Sequence, residues 1–497
     1  MFASLRCSAE SYARARECAI RGRNTAPNRY TARPEAQRRS HAMPGLTADR
    51  LSEFRSECKK VEKVLAASPT VSKTLAVPTA EFKLRQRRVA NALKKGGFDA
   101  GVVFSDEHYN GDVPYLGGNT NISIEQVAGV IGRTGFHIAA GLEGGYIAEQ
   151  LAHRASATVH KVELLQLADE KYPIRAVRLE EVIEAATGKR MSQIRRIALL
   201  TPRQVIPDGV VGYLEKLFGR RGVVDAQEIY FRIKNLKSDR EMKLIADANV
   251  IADAMTRAML AVVKPGLMET QVAGWGHLVG KELGGEENGW DVMVGANEAN
   301  RTLIGKALNR RIKKGDWVHL GVAPKRDGLT SCLRRSIVMG RPTANQRYWF
   351  DLVNDAYHVG LDAYKDIARH RKPAREQEQA LVDFFRAKTS EVNRRFGLDV
   401  DDLSRFKPYT GTHNAGYTEC QEFYGAITLE SDEPLDKQVV TMLDVAIRGI
   451  GDHWHDKVLP VDFVVVENTL GKYDRRVRVL NRVPNDCQAL IGSGLDR

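Results

Sequence analysis

The segment from Ser238 to Val263, SDREMKLIADANVIADAMTRAMLAVV, constrains the fold most, because helix signals mark both of its ends. Ser238 and Glu241 have the spacing of a capping box, and Lys264-Pro265-Gly266 is a typical helix end. A β-rich stretch follows later in the chain, after a second helix. A long helix followed later by a β-rich stretch predicts an α+β domain here, not a doubly wound sheet.

The residues before and after this helix predict two structural regions. Before it, a helix over 82–95, strands over 98–104, 126–131 and 195–200, and a helix over 210–218 indicate an α/β domain within residues 75–230. After it, the patterns predict strands over 317–322, 331–339, 426–429, 439–447 and 462–470, and helices over 344–368 and 374–396.

Charge is concentrated at the N-terminus. Residues 1–42 contain nine Arg, no Lys and three Glu, a net charge of +6, so residues 43–497 carry only +7 of the total of +13. Without clustered basic residues and interleaved aromatics in the remainder, nucleic acid is not an expected partner. The tail is expected to be disordered, and three interpretations stay open: translated sequence upstream of a start at Met43, a transit peptide, or a basic interaction arm.

Two further patterns exclude classes of protein. No stretch of about 20 apolar residues is present, so the sequence predicts neither a membrane span nor a membrane partner. The six cysteines include no CxxC pair and no regular spacing, which argues against a disulfide framework and against a zinc ribbon. We therefore expect a reducing, cytoplasmic environment.

Several segments in a fixed order resemble the prolidase, aminopeptidase P and creatinase family. They begin with RQRRVANALKKGGFDAGVVF at 85–104, YLGG at 115–118 and RIKNLKSDRE at 232–241, and the more specific ones follow: GDWVHLGVAPKRDGLTSCLRRS at 315–336, GTHNAGYTE at 411–419, PLDKQVVTMLDVAI at 434–447 and VVVENT at 464–469. The resemblance implies an α+β pita-bread C-terminal domain over 233–490. It also implies an α/β creatinase-type (ribonuclease H-like) N-terminal domain over 79–232, after a disordered tail at 1–42 and an extension at 43–78.

Peptidases of that family bind two divalent metals through two Asp, one His and two Glu. By resemblance these five positions are Gly321, Cys332, His413, Asp444 and Glu467. A glycine cannot ligate, and Cys332 replaces the second Asp, although close metal ions need bridging carboxylates between them. An alternative alignment would put Ile447 in place of Asp444. The sequence therefore predicts a degenerate site without the dinuclear metal centre.

The family's substrate-binding and proton-transferring histidines are also replaced. No His occurs between Trp290 and Val318, where one is expected, and two other family His positions correspond to Tyr409 and Cys420. We predict that a pocket around His413 binds substrate, with Arg334 bringing a new positive charge toward an anionic ligand. The predicted substrate-binding residues are Tyr409, Tyr417, Glu419, Cys420 and Arg335.

Three chemistries remain open for the predicted catalytic residues Cys332, His413, Asp444 and Glu467. One divalent ion, Zn²⁺ or Mn²⁺, would give a mononuclear Xaa-Pro peptidase-like hydrolase. Metal-free C–N cleavage would use His413 as acid and base, with Asp444 and Glu467 gripping a cationic group of the substrate; a variant makes Cys332 the nucleophile. The third possibility is an inactive binding protein.

We predict the second chemistry, a non-peptidase hydrolase or lyase that acts on a C–N bond of a small polar substrate. No cofactor is expected in this case. The resemblance further implies a homodimer.

Overall fold

The computed structural model describes residues 46–166, 175–418 and 422–496. The chain forms two units, residues 1–53 and residues 54–497. Both large sheets and all the described candidate residues lie in the second unit. The predicted basic tail, residues 1–42, lies outside the described residues.

The helices and strands follow the predicted order, with most bounds within a few residues. The helices are α1 Ala48–Ala67, α2 Thr79–Lys95, α3 Asp112–Gly117, α4 Leu142–Ala152, α5 Leu179–Thr187, α6 Asp208–Phe218, α7 Gln227–Asn235, α8 Asp239–Val262, α9 Glu269–Glu282, α10 Ala344–His370, α11 Arg375–Ala387 and α12 Thr389–Phe396. The strands are β1 Ala100–Ser105, β2 Val127–Gly132, β3 Gly135–Ala140, β4 Thr158–Lys161, β5 Ile197–Leu199, β6 Val223–Asp225, β7 Glu287–Asn288, β8 Met293–Ala296, β9 Trp317–Val322, β10 Pro324–Arg326, β11 Leu329–Thr330, β12 Leu333–Val338, β13 Thr412–Asn414, β14 Gln438–Arg448, β15 Phe463–Tyr473 and β16 Arg476–Val479.

The first large sheet contains six strands in the order β4-β3-β2-β1-β5-β6. Strand β1 is antiparallel to β2 and parallel to β5. Every residue of β1 is buried, as expected for a strand covered on both faces. This mixed sheet with its helices is the α/β region predicted before the long helix.

The second large sheet contains the candidate residues. Its strand order is β13-β14-β15-β12-β9-β8, with β16 added beside β15. Strands β14 and β15 have eleven residues each and pair antiparallel along their whole length, from Gln438 opposite Tyr473 to Arg448 opposite Phe463. Their nearly continuous burial places them at the centre of the domain, where side chains are held most rigidly.

Local signals explain both the agreement and the exceptions. The Ser238 hydroxyl accepts from the Glu241 backbone N–H at 3.1 Å and the Glu241 carboxylate accepts from the Ser238 N–H at 2.7 Å, so the predicted capping box is confirmed. The predicted strand 426–429 is wrong. Only an isolated bridge from Ala426 to His413 forms, because Thr428 and Ser431 bond to each other in a local turn. The predicted helix 374–396 is interrupted at Lys388.

Candidate active site

Four neighbouring strands align the central residues of the candidate site in one row. Gly321 of β9 is opposite Arg334 of β12, Arg334 is opposite Glu467 of β15, and Glu467 is opposite Asp444 of β14. Directly opposite residues share one face of a sheet. By the same register Ile447 is opposite Val464, three residues away from this row.

His413 joins this row from the edge strand β13. One ligand atom each of His413, Asp444 and Glu467 lies within 4.8 Å of the others, which makes them a possible metal-binding group in the described part of the chain. His413 Nδ1 donates to the Asn414 carbonyl at 3.2 Å, and its Nε2 lies 3.6 Å from Glu467 Oε1. Nε2 therefore lies next to a carboxylate that would stabilise an imidazolium.

The Arg334 guanidinium lies between the two carboxylates. Its Nη1 donates to Asp444 Oδ2 at 3.1 Å and to the Tyr409 hydroxyl at 3.0 Å, and its Nε is 3.7 Å from Glu467 Oε2. The Tyr409 hydroxyl in turn donates to Asp444 Oδ1 at 3.1 Å. Nη2 donates to the Leu303 carbonyl. Asp444 and Glu467 therefore lie against a guanidinium of this same chain. The sequence had predicted that they would bind a cationic group of the substrate.

Burial and the neighbouring charges together set the pKa values of these groups. Burial opposes the charge of Arg334, but Tyr409, Asp444 and Glu467 outweigh it and raise its pKa. Burial and the adjacent Glu467 raise the pKa of Asp444 to about 7. Burial also acts against the Glu467 anion, but His413 and Arg334 lower its pKa below the usual range. Glu467 therefore has the lower pKa of the two carboxyl groups and is the one that stays ionised.

The two remaining ligand positions implied by the resemblance carry different chemistry. A side chain at Gly321 would place its Cβ 3.0 Å from the Trp290 ring and 3.3 Å from Arg334 Cγ, so these two side chains occupy the space where a carboxylate would begin. Cys332 is buried, and its thiol lies close enough to Glu467 to help lower the pKa of that carboxyl. Three grouped donors beside a fixed guanidinium do not fit two divalent ions, which need more anionic ligands.

Of the other predicted substrate-binding residues, the structure describes Arg335 and Tyr417. Arg335 follows Arg334 on β12, so its side chain lies on the opposite face, where it donates to backbone carbonyls and to Asn468. It is therefore not placed to contact a substrate at the row. The buried Tyr417 hydroxyl accepts from Arg85 at 3.0 Å. Glu419 and Cys420 lie outside the described residues.

Sequence reasoning missed one residue and underrated another. His319 lies on β9 two residues before Gly321, so it shares the face of the row. It stands just beyond the interval in which a histidine was expected. Arg334 was noted as a new charge, but its pairing with Asp444 joins residues 110 positions apart. The double arginine was the available signal, yet the partner strands decide which arginine faces the site.

Comparison with known proteins points to one family. Residues 243–451 match metallopeptidase family M24. The Xaa-Pro dipeptidase of Pyrococcus horikoshii is 25% identical over 284 residues, which cover 54% of this chain and 76% of that protein. The Xaa-Pro dipeptidase of Pyrococcus furiosus is also 25% identical, over 282 residues, with the same two coverages.

Solved structures of the same group share the fold. The Xaa-Pro dipeptidase from Bacillus anthracis aligns with a TM-score of 0.62 at 16% identity and covers 82% of this chain and 99% of its own. Pseudomonas aeruginosa aminopeptidase PepP aligns with a TM-score of 0.62 at 15% identity, covering 85% and 99%. The predicted pita-bread fold is therefore confirmed. Among the described residues, no helix is both long and apolar enough to cross a bilayer.

Proposed function

We propose that this chain, which belongs to metallopeptidase family M24 through residues 243–451, is a hydrolase. In the proposed site, Arg334 takes the place of the metal centre. The substrate is a small polar molecule with a C–N bond. Xaa-Pro dipeptidases are its relatives, but the proposed activity does not depend on divalent metal.

One observation carries the proposal: the Arg334 guanidinium contacts Asp444 at 3.1 Å and lies 3.7 Å from Glu467. A guanidinium stays protonated at any pH at which proteins fold, so a permanent positive charge already neutralises these carboxylates. A divalent ion at the same place would be repelled by that charge at short range. The fixed cation can instead stabilise negative charge that develops on a substrate.

The chemistry can be assigned to groups of this chain. His413 Nε2 takes a proton from water while the water oxygen bonds to the carbonyl carbon, and Glu467 stabilises the imidazolium formed. Arg334 supports the resulting oxyanion. His413 then returns the proton to the nitrogen as the C–N bond breaks, which releases an acid and an amine. Cys332 has no step in this sequence, because its thiol is buried.

A second candidate function is a mononuclear metal-dependent dipeptidase. It is favoured by the His413, Asp444 and Glu467 ligand atoms within 4.8 Å of one another, which with a water could complete a four-coordinate site for Zn²⁺. The ion would activate that water. This candidate requires Arg334 to leave Asp444.

A third candidate, an inactive binding protein of the same fold, is favoured by burial. Arg334, Asp444 and Glu467 are 3%, 4% and 1% exposed, so a substrate cannot reach the row in this conformation. Substrate access requires the Leu303 loop to move away from Arg334.

Hydrolysis assays with and without metal separate the three candidates. Chelator-treated protein is assayed against amides, lactams, ureas, amidines and Xaa-Pro dipeptides, and the assay is repeated with Mn²⁺ and with Zn²⁺. The proposal predicts release of amine without metal, lost in His413→Ala and retained in His370→Ala, an exposed control. Cleavage of Xaa-Pro dipeptides only after metal addition supports the second candidate, and no turnover under any condition supports the third.

A further inference from the structure

His319 presents a buried acceptor that the proposed chemistry does not use. The side chain is on the face of the row and 1% exposed. Its ring packs over Gly295, where a Cβ would come within 2.5 Å of the imidazole. A glycine at this position of β8 is therefore needed to seat the ring.

A chain of hydrogen bonds determines the tautomer of His319. The Asn300 amide nitrogen donates to the Phe463 carbonyl at 2.8 Å, which turns the amide oxygen of Asn300 toward His319. That oxygen accepts from His319 Nδ1 at 2.8 Å. Since Nδ1 carries the hydrogen, Nε2 of the neutral ring carries a lone pair.

Nothing among the described residues donates to this lone pair. His319 Nε2 is buried without a hydrogen-bond partner there. An unsatisfied buried acceptor costs stability, so such an atom needs an explanation such as a bound ligand. Burial and the charges of Arg334 and Arg310 lower the pKa of His319 to about 3, which keeps the ring neutral.

The acceptor lies close to Arg334 on the same face of the sheet. The His319 ring meets the Phe463 ring edge-on at 5.7 Å, and the Arg334 guanidinium is 5.3 Å from the centre of that same ring. Phe463, Leu303 and Tyr409 form one apolar cluster with Ala446 and Val465. This face of the sheet thus combines an apolar cluster, a hydrogen-bond acceptor and a cation.

The Leu303 loop occupies the position that a ligand oxygen would take. The Leu303 carbonyl accepts from Arg334 Nη2, and the Ile304 N–H closes a three-residue turn onto the Thr302 carbonyl at 2.7 Å. Leu303 has a φ of 67° and a ψ of −52°, a strained conformation for a residue with a side chain. If a substrate carbonyl replaced the Leu303 carbonyl at Arg334, the loop could leave this conformation and the strain would be relieved.

We infer that His319 Nε2 accepts a hydrogen bond from an N–H of the substrate while the substrate carbonyl replaces Leu303 at Arg334. The inference rests on the proposed function and narrows the substrate to a neutral primary or secondary amide, a lactam or a urea. A cationic amidine is disfavoured by Arg334. An Xaa-Pro bond, whose nitrogen carries no hydrogen, cannot satisfy His319.

Binding of a matched pair of probes tests the inference without turnover. The probes are 2-pyrrolidinone and N-methyl-2-pyrrolidinone, which differ at the N–H. Their affinities are measured by ligand-observed NMR for wild type and for His319→Phe, which keeps an aromatic ring over Gly295 but has no acceptor. We expect wild type to bind 2-pyrrolidinone about tenfold more tightly, the equivalent of one hydrogen bond, and His319→Phe to lose this preference.

Three results would overturn the inference: equal binding of the two probes, no binding of either, or a preference that survives in His319→Phe. Binding of the same two probes to His413→Ala, which is expected to be inactive, separates a failure of this inference from a failure of the proposed function. N–H-dependent binding in a protein that never hydrolyses an amide leaves the inference in place and removes only the hydrolase. Hydrolysis that is equally fast in His319→Phe removes only the inference.

Discussion

Arg334 and Arg335 are neighbours on one strand, but they belong to regions of opposite character. Both are almost fully buried. On one face Arg334 contacts two carboxylates and a tyrosine hydroxyl. On the other face Arg335 donates to the carbonyls of Val483, Pro484 and Glu467 and to the Asn468 side chain.

The electrostatics of the two residues differ accordingly. Burial lowers the pKa of Arg335, because its partners are mostly neutral carbonyls. Burial acts in the same direction on Arg334, but its anionic partners reverse the effect and raise its pKa. Arg335 therefore ties the C-terminal segment to the sheet, whereas Arg334 neutralises a cluster of ionisable groups. Side chains alternate between the two faces of a strand, so one residue can have a structural role while its neighbour belongs to the site.

The largest effect on stability is expected from Arg335→Met. The substitution removes the hydrogen bonds that Arg335 donates to four backbone carbonyls and to the Asn468 oxygen, an expected loss of about 3–5 kcal/mol of unfolding free energy. Urea denaturation measures this loss. Arg347→Met is the control, because Arg347 pairs with Asp351 and Asp486 in a half-exposed position, and surface pairs contribute less than about 1 kcal/mol. Equal losses in the two variants would refute the structural role of Arg335.

Arg334→Met should destabilise the protein less, by about 2 kcal/mol, because one of the two carboxylates can take up a proton once the cation is gone. Without Arg334 the two acids repel each other, so their pKa values rise and the loss should be larger at pH 8 than at pH 5. Urea midpoints at the two pH values measure this difference. A loss that is independent of pH would show that Arg334 does not neutralise the pair.

His319 should make the stability depend on pH. Its pKa in the folded chain is about 3, below the usual 6.5, so the unfolded chain binds the proton first as the pH falls. Stability from the neutral ring is fully present above about pH 6.5 and falls by about 1.4 kcal/mol per pH unit toward pH 3. The unfolding free energy of wild type minus that of His319→Gln should therefore decrease from pH 6.5 to pH 4.5. Parallel pH curves would contradict the burial of a neutral ring.

The smallest effect is expected from Tyr409→Phe. The change removes the hydroxyl that bridges Arg334 and Asp444 but keeps the ring in the apolar cluster, so the expected loss is about 1 kcal/mol. Thermal unfolding measures it. A loss as large as that of Arg335→Met would mean that the tyrosine, not the arginine, organises the site.

The local parts of this arrangement could be predicted from the sequence. The capping box at Ser238 and the strand Trp317–Val322 depend on neighbouring residues and were predicted correctly. The contacts of Arg334 depend on the register of β9, β12, β15 and β14, which brings distant residues into one row. The contact between Tyr417 and Arg85 joins residues 332 positions apart, so it could not be predicted from the sequence either. A homodimer and a cytoplasmic location stay predictions.

The metal content per chain shows whether Arg334 replaces the metal centre. Wild type and Arg334→Thr are purified without added metal, dialysed against Mn²⁺ or Zn²⁺ and measured by inductively coupled plasma mass spectrometry. If Arg334 replaces the metal centre, wild type holds well below one ion per chain, and Arg334→Thr, freed of the guanidinium, gains about one at His413, Asp444 and Glu467. One or two ions per chain in wild type, lost in His413→Ala, would contradict the account.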